Sequence, residues 1–488
     1  MACRILCLSN WHRMRLTLLV LSGLLLGGCA VGPEYRKPAP DIPAQWSLHQ
    51  SGELVDIREW WAQFNDPALS RLQDLAERNS PTLAAAMAAI DKARASRTSS
   101  AAAHWPDITA SGSDSHSGSL KHPTGVTHTT SAELDASWEL DLFGKTRRNV
   151  ESADALIEAR QADWASSRVS LLAEVATDYL DYRTCRIKQH YYEAQADSQN
   201  ITVGLNREAW KAGFKAQADL RLAEASAAST RASALSQRSE CEVAVKTLVA
   251  LVGIDEMQLR GILGADFAEL PLPLGLAVDS VPADVLRRRP DIVVAERELA
   301  SANALIGAAE AKRWPSLTLS GAVGLAKMAG AAATAPWSFA PGLSLPVFDG
   351  GSISAGIRSA RADYASQLAT YQQTVRDAVK EVEQALVRLD NVADREQALR
   401  LSAEGYRDYL AASERSWRVG TSSQLDLESA RRSSISADIS LIELQQTRLS
   451  YWIALYKAAG GGWQGSAEKS EGMQESDKTG SIKQGVEP

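Results

Sequence analysis

Residues 131–144 read SAELDASWELDLFG, a stretch in which every second residue up to position 142 is polar. A period of two is that of a β-strand with two differently solvated faces. The chain then runs from Lys145 to Val203 without a glycine or proline, which predicts one very long helix. Few folds join such a strand directly to such a helix, so this junction constrains the architecture strongly.

The chain consists of two similar halves. A Trp-Pro pair followed by alternating residues occurs at Trp105 and again at Trp314. Further matches share an offset of 207: Trp210 with Trp417, Gly213 with Gly420, Asp219 with Asp426, and Gly253 with Gly460. Several matches at one offset indicate a duplicated unit with two strands in each copy.

The patterns divide the chain as follows. Segment 1–28 is a signal peptide, and 29–80 is an N-terminal segment that packs beside the helices. Repeat 1 spans 81–259, with a helix, a β-hairpin at 107–142 and a long helical hairpin at 145–252. After a linker at 260–282, repeat 2 spans 283–460, with a helix, a β-hairpin at 316–347 and a helical hairpin at 357–459. The tail 461–488 is rich in Gly, Ser and charge, which predicts disorder.

The N-terminus carries a targeting signal. Arg13 and Arg15 precede an apolar run, Leu16–Leu26, that is too short to span a bilayer. The small residues before Cys29 resemble the lipobox of bacterial lipoproteins, in which this cysteine becomes the lipid-modified first residue. The alternative is an ordinary signal peptide with an incidental cysteine. Residue 30 is Ala rather than Asp, so nothing marks the protein for the inner membrane.

Two further cysteines remain in the mature chain. Cys185 and Cys241 lie at equal distances on either side of Gly213, so antiparallel helices that turn there set them at the same height. They either form a disulfide or remain two buried thiols, in a compartment that permits disulfides.

The strands suggest a membrane barrel shared between copies. No mature segment has the 18 or more apolar residues of a membrane-spanning helix, and four strands per chain cannot close a barrel alone. Several copies must therefore contribute to one barrel. Leu134 and Trp138 would then face lipid. Four acidic residues would line the lumen: Glu133, Asp135, Glu139 and Asp141. The alternative is the edge of a soluble β-sandwich.

Five stretches carry a family resemblance: CAVGPEYRKP (29–38), WWAQFNDPAL (60–69), SWELDLFG (137–144), LRRRPDI (286–292) and LPVFDGG (345–351). They closely resemble signatures of the TolC-like outer-membrane efflux lipoproteins. The resemblance implies an α+β membrane protein: a homotrimer with a twelve-stranded β-barrel, four strands from each chain, continued by a periplasmic helical barrel. It makes 29–80 and 260–282 the equatorial region. It also implies two partners, a periplasmic adaptor (membrane fusion) protein and an inner-membrane transporter of the RND type.

The same resemblance suggests site residues. The turns at Gly213 and Gly420 become the periplasmic tip where the adaptor docks, although a plain helix connection fits the glycines equally well. Thr421 or Ser422 is expected to cap the returning helix. Relatives narrow the tip with Leu, Asp and Arg, which match Leu425, Ser429 and Arg432. Ser429 departs from this pattern, so Glu428 or Asp426 is a candidate for supplying the charge.

Other functions lack support in the sequence. The net charge is −7 with no basic stripe, which disfavours nucleic-acid binding. We find no catalytic or cofactor motif, and an enzyme is not expected. His104, His116, His122 and His128 are interpreted as residues of a polar loop region without metal-ligand spacing. The expected function is a passive outer-membrane exit duct for small toxic compounds in a Gram-negative bacterium. The alternatives are a duct for type I protein secretion and a periplasmic scaffold lipoprotein.

Overall fold

The computed structural model describes residues 30–40, 42–43, 46, 60–118, 126–264, 269–271 and 283–463. Its helices are α1 (Pro67–Asn79), α2 (Pro81–Ala102), α3 (Lys145–Lys211), α4 (Gln217–Val252), α5 (Glu256–Leu263), α6 (Pro290–Ala311), α7 (Ser352–Arg418) and α8 (Gln424–Ala458). Its strands are β1 (Asp107–Ser117), β2 (Thr127–Leu140), β3 (Ser316–Met328) and β4 (Trp337–Ser344). Residues 1–28, which are predicted to be a signal peptide, lie outside the described part, as do Cys29 and residues 464–488.

The four strands form one antiparallel sheet in the order β1-β2-β3-β4. The central pairing, β2 with β3, joins the two repeats and sets Leu134 opposite Val323 and Trp138 opposite Leu319. The α+β fold class is thereby confirmed, with four strands and two pairs of long helices in the described part of each chain. The second β-hairpin is shorter than expected, because β4 ends at Ser344 rather than near residue 347.

The helices α3 and α7 each contain 67 residues, so each is about 100 Å long. Helix α7 begins at Ser352, five residues before the expected start at 357, because Asp349 accepts hydrogen bonds from the backbone N–H groups of Gly351 and Ile353. Among the described helices, none combines the length and the apolar character that a bilayer crossing requires.

The chain divides into two structural units, each built from three separate stretches of sequence. We call the first the sheet unit; its ranges are Met1–Ala39, Ala88–Gln161 and Val294–Gln372. We call the second the helical unit; its ranges are Pro40–Met87, Ala162–Val293 and Gln373–Pro488. In the helical unit, an aromatic cluster anchors the chain before α1 to α8. Trp60 stacks on Trp452 with 4.0 Å between ring centroids, and Trp61 meets Tyr456 edge-on at 4.6 Å.

Two helices of the helical unit were not anticipated from the sequence. Helix α1 has Asp66 as its N-cap, whose carboxylate accepts from the N–H groups of Ala68 and Leu69, and Pro67 at its first position. Helix α5 has Asp255 as its N-cap. Both caps are readable helix-start signals, but α1 lies in the segment that was assigned only to pack beside the helices, and α5 lies across the boundary between repeat 1 and the linker.

Candidate functional sites

The sheet of the sheet unit has one apolar and one polar face. Opposite residues share a face, so the register extends the alternation of β2 across all four strands. We call the side that carries Leu134 and Trp138 the apolar face. Its other large side chains are Ile108, Leu317, Leu319, Val323, Leu325, Trp337, Phe339 and Leu343. Several are largely exposed in the single chain, up to 78% for Trp337, which is unusual for a water-soluble surface.

The polar face carries three of the four predicted acidic residues. Glu133 lies opposite Ser111 and Gly324, and Asp135 lies opposite Thr109 and Ala322. Glu139 also lies on this face, where the Lys145 ammonium contacts its carboxylate at 3.1 Å. The small neighbours leave the carboxylates of Glu133 and Asp135 room to remain solvated.

Asp141 was expected on the same face, but the structure assigns it another contact. It follows the last residue of β2, and its carboxylate accepts hydrogen bonds from the backbone N–H groups of Thr146 and Arg147 at 3.1 and 3.0 Å. A carboxylate at this position satisfies unpaired donors in the first turn of a helix, here α3. Asp141 therefore fixes the strand-to-helix junction, and the lumen interpretation is corrected for this residue.

The N-terminal segment is fastened within the sheet unit. The Val31 N–H donates to Phe143 O at 3.2 Å, and the Arg148 guanidinium donates to Val31 O. The Tyr35 hydroxyl donates to the buried Glu296 carboxylate at 2.5 Å. Burial, reinforced by this hydrogen bond, raises the pKa of Tyr35 far above its usual value. The residue that follows Cys29 is thus held beside the end of β2.

The two helix turns of the helical unit have the same backbone geometry. Gly213 and Gly420 both have a φ of 78°, in the left-handed region that favours glycine. In each turn the glycine N–H donates three residues back and the following N–H donates five residues back, to Trp210 O and Ala209 O in the first turn. This is the Schellman ending of a helix, and it explains why both repeats need glycine at this point.

The cap of α8 differs from the expectation. Ser423 caps the helix, and its side chain and that of Asp426 form a reciprocal capping box. The Thr421 hydroxyl instead donates back to Ser416 O at 3.0 Å, and Ser422 Oγ contacts Asp426 at 3.5 Å. Thr421 and Ser422 belong to the turn, and neither is the cap.

Two of the three predicted aperture residues border one pocket. Leu425 and Arg432 line a pocket of about 320 Å³ together with Glu428, whereas Ser429 is exposed outside the residues that line it. Leu425 is 64% exposed at the start of α8.

Neither proposed substitute carboxylate lies free in this region. Glu428 is only 5% exposed and joins α8 to α3. It accepts from Gln199 Nε2 at 2.5 Å, Thr202 Oγ1 at 2.7 Å and Arg431 Nη1 at 3.0 Å. Asp426 is engaged in the capping box, and its hydrogen bonds to Ser423 hold its pKa below the usual value. The idea that Glu428 or Asp426 replaces the missing aspartate is therefore not supported by their contacts.

The two cysteines on either side of the Gly213 turn form a disulfide bond. The structure joins Cys185 of α3 to Cys241 of α4 by a disulfide, with 5.5 Å between their Cα atoms. Cys241 is 2% exposed, and the bond lies within the helical unit.

The histidine interpretation also needs correction. His116 lies in β1 and His128 in β2, and they are direct partners in the register rather than residues of a loop. His104 lies before β1, whereas His122 lies outside the described residues. The spacing of twelve residues concealed the pair, because an antiparallel hairpin brings together positions that are distant in sequence.

Comparison with known proteins identifies the family. A family model described as outer membrane efflux protein matches residues 72–254 and 281–461, which are most of both repeats. The chain belongs to the outer membrane efflux protein family. Members of this family are outer-membrane channels, so the resemblance drawn from the sequence motifs is confirmed.

Individual relatives agree with this family along almost their whole length. Nodulation protein T of Rhizobium leguminosarum bv. trifolii is 32% identical, with 90% of this chain and 96% of that protein covered. The toluene efflux pump outer membrane protein TtgC of Pseudomonas putida is 31% identical, with 91% and 95% covered. The solved outer-membrane channel OprN has a TM-score of 0.78 at 32% identity, with 89% of this chain and 100% of OprN covered.

Proposed function

We propose that three copies of this chain form the passive outer-membrane exit duct of a tripartite efflux pump. The observation that carries the proposal is the sheet of the sheet unit: its apolar face is exposed, and its end strands, β1 and β4, each pair with only one of the described strands. An exposed apolar face needs lipid, and an unpaired strand edge needs another strand. Three copies supply twelve strands, which can close into a barrel where four cannot.

The polar face of that barrel lines the conduit. Glu133, Asp135 and Glu139 then repeat three times around the lumen and give it a negative potential. A ring of like charges in a water-filled pore favours ions of the opposite sign, so the duct is expected to prefer cations. Asp141 is left out of this lining because it is bound to the first turn of α3.

Lipid on Cys29 anchors the duct. The proposal is supported by the position of the next residue: a Cβ placed on Gly144 would come within 2.8 Å of the Ala30 Cα. Residue 30 therefore lies beside the short connection between the end of β2 and the start of α3. In the proposed barrel, this is the level at which a strand leaves the bilayer. Acyl chains on Cys29 would reach the inner leaflet there without an intervening linker.

The helix turns face the partners. We propose that the Gly213 and Gly420 turns, with Thr421 and Ser422, receive the periplasmic adaptor, and that an RND-type transporter supplies the energy. We propose that Leu425, Ser429 and Arg432 lie at the resting aperture. The names of the relatives favour small toxic compounds as cargo, since TtgC belongs to a toluene efflux pump.

Conductance in planar bilayers tests the duct. Detergent-extracted protein is expected to migrate as a heat-modifiable trimer and to form cation-selective channels. Glu133→Gln with Asp135→Asn should reduce the cation preference, whereas Glu240→Gln, at an exposed position on α4, should leave it unchanged. A monomer without conductance would reject the duct and favour a scaffold lipoprotein.

A deletion strain identifies the class of cargo. Loss of the chain should raise sensitivity to small apolar toxins, and reintroduction of the gene should restore resistance. Restored export of a polypeptide without any change in toxin resistance would instead assign the duct to protein secretion.

A further inference from the structure

Three potential metal ligands meet near the loop end of the β1–β2 hairpin. His116 and His128 are opposite each other in the register, and their rings stack with 4.2 Å between centroids. Asp114 lies two residues before His116 on the same strand, so its side chain points to the same side of the sheet. Its carboxylate oxygens lie 2.6 Å from His128 Nε2 and 3.6 Å from His116 Nε2.

The donor set matches a transition-metal site. Imidazole nitrogen and carboxylate oxygen bind zinc at about 2.0–2.2 Å, and a tetrahedral ion held at that length needs its ligands roughly 3.4 Å apart. One ligand atom from each of Asp114, His116 and His128 lies within 4.8 Å of the others. All three side chains are partly exposed, between 41% and 61%, so small rotations suffice to close the tripod.

A fourth side chain orients the carboxylate. The Thr130 hydroxyl donates to Asp114 Oδ1 at 2.9 Å, and Thr130 lies opposite Asp114 in the register. Such outer contacts hold a ligand in its binding orientation, and their loss commonly weakens metal affinity by about 10–100-fold. The cluster thus contains ligands and a supporting residue.

We propose that Asp114, His116 and His128 bind one divalent transition-metal ion of the zinc type per chain. Two nitrogens and one oxygen from the protein leave a fourth position for water. Copper(II) is expected to compete with zinc, since imidazole suits both ions and copper stands higher in the general affinity order. The proposal does not depend on channel activity.

The site lies outside the acidic conduit. Asp114, His116 and His128 lie on the same side of the sheet as Leu134 but beyond its large apolar residues, at the loop end of β1 and β2, whereas Glu133 lies on the polar face. The ion is therefore not cargo on its way through the lumen. It would link β1 to β2 near the last pair of the ladder, Ser117 with Thr127, and bind the folded hairpin in preference to the unfolded chain.

One positively charged side chain lies close enough to disfavour binding of a cation. Lys327 of β3 lies opposite Thr130, two strands from Asp114 and therefore about 10 Å away. At this distance the Lys327 ammonium does not block the approach of a metal ion to the three ligands. Removing this charge with Lys327→Gln should strengthen zinc binding slightly, in the direction opposite to the ligand variants.

Isothermal titration of the detergent-solubilised full chain, carrying a purification tag without histidine, tests the site. Zinc chloride should bind the wild type with one ion per chain. His116→Ala, His128→Ala and Asp114→Asn should each weaken binding at least tenfold, and Thr130→Val about tenfold. His104→Ala is the matched control, because His104 precedes β1 and lies about 30 Å along the strand from His116.

A spectroscopic measurement keeps the test independent of variant folding. Electron paramagnetic resonance of the wild type with one equivalent of copper(II) should show two coordinated imidazole nitrogens, and His104→Ala should give the same spectrum. Zinc binding that survives in the His116→Ala/His128→Ala double variant, or a copper spectrum without two nitrogens, would overturn the proposal. A wild type that binds no zinc would do the same.

Discussion

The two helical hairpins are copies of one unit, and they are fastened by different chemistry. In the first hairpin, α3 and α4 are joined by the Cys185–Cys241 disulfide. An offset of 207 brings Cys241 onto Arg448 of the second hairpin. Arg448 joins α8 to α7 through an ion pair with Glu396 at 2.7 Å. One duplicated position thus carries a covalent link in one copy and a charge pair in the other.

The turns at the ends of the two hairpins also share a backbone and differ in their side-chain contacts. Both turns have the Schellman geometry around a glycine, which leaves little freedom for change. Beyond the glycines, Glu428 is buried and accepts hydrogen bonds from four side chains, whereas its counterpart Arg221 is exposed and pairs locally with Glu224 at 2.9 Å. Backbone geometry has been retained in both copies, and the side chains that bind helix to helix have diverged.

Breaking the disulfide is expected to have the largest effect. The cysteines are 56 residues apart, and a loop of this size is worth about 2–4 kcal/mol through the entropy of the unfolded chain. A reductant should lower the free energy of unfolding by this amount, measured by urea titration with circular dichroism at 222 nm. The Cys185→Ala/Cys241→Ala variant should be equally destabilised and insensitive to reductant.

Mass spectrometry after alkylation provides the check on the bond itself. Alkylation without reductant should leave Cys185 and Cys241 unmodified, and alkylation after reduction should add two groups. The same mass in both experiments would rule out the disulfide, and the first hairpin would then have no covalent link between α3 and α4.

Removing the Glu428 carboxylate should have the next largest effect. Glu428→Ala leaves Gln199, Thr202 and Arg431 without their shared acceptor, and hydrogen bonds to a buried charged group are worth more than neutral ones. We expect a loss of about 2–3 kcal/mol in urea titrations. Arg221→Ala, at the matching position of the first repeat, should change stability by less than about 0.5 kcal/mol. Equal effects in the two variants would contradict the divergence of the tips.

The sequence predicted the repeating framework because that framework depends on periodicity. Alternation identified β2, and breaker-free runs with a central glycine identified α3, α4, α7 and α8. Each of these signals extends over many residues, so a local exception does not erase it. The Gly213 and Gly420 turns were also predictable, because their left-handed backbone requires glycine and the glycine is visible in the sequence.

The side-chain contacts were harder to predict because they depend on register and on tertiary approach. His116 and His128 are twelve residues apart, and only the pairing of β1 with β2 makes them neighbours. Asp141 fits the alternation of β2 but lies one residue beyond its end, where helix donors bind it. Ser423 was missed as the cap although Asp426, three residues later, completes the capping-box spacing.

Acid should weaken the Glu396–Arg448 link of the second hairpin and leave the Cys185–Cys241 link of the first unchanged. Burial alone would raise the pKa of Glu396, but hydrogen bonds from Arg448 and Arg400 outweigh it and hold the pKa below 4.5. A lowered carboxyl pKa stabilises the fold above the unfolded value, and this contribution is lost as the pH falls through the folded value. Glu396→Gln should therefore cost about 1–2 kcal/mol at pH 7 and progressively less below pH 4.5.

The matched control for acid is the disulfide variant. The difference in stability between the wild type and Cys185→Ala/Cys241→Ala should stay constant over the same pH range, because a disulfide does not titrate. A Glu396→Gln deficit that is the same at pH 7 and pH 4 would show that charge is not what Glu396 contributes.

The smallest change in stability is expected when the helix caps of the two repeats are exchanged. Ser423 and its counterpart Ala216 have nearly the same backbone angles, with φ of −79° and −73° and ψ of 159° and 152°. Ser423→Ala should cost about 1 kcal/mol, and Ala216→Ser should add about 0.5–1 kcal/mol, since Asp219 already occupies the third helical position of α4. Thermal unfolding midpoints of the two variants should move in opposite directions. If Ala216→Ser has no effect, the backbone match alone does not create a capping site, and the first turn must then be held by contacts other than its cap.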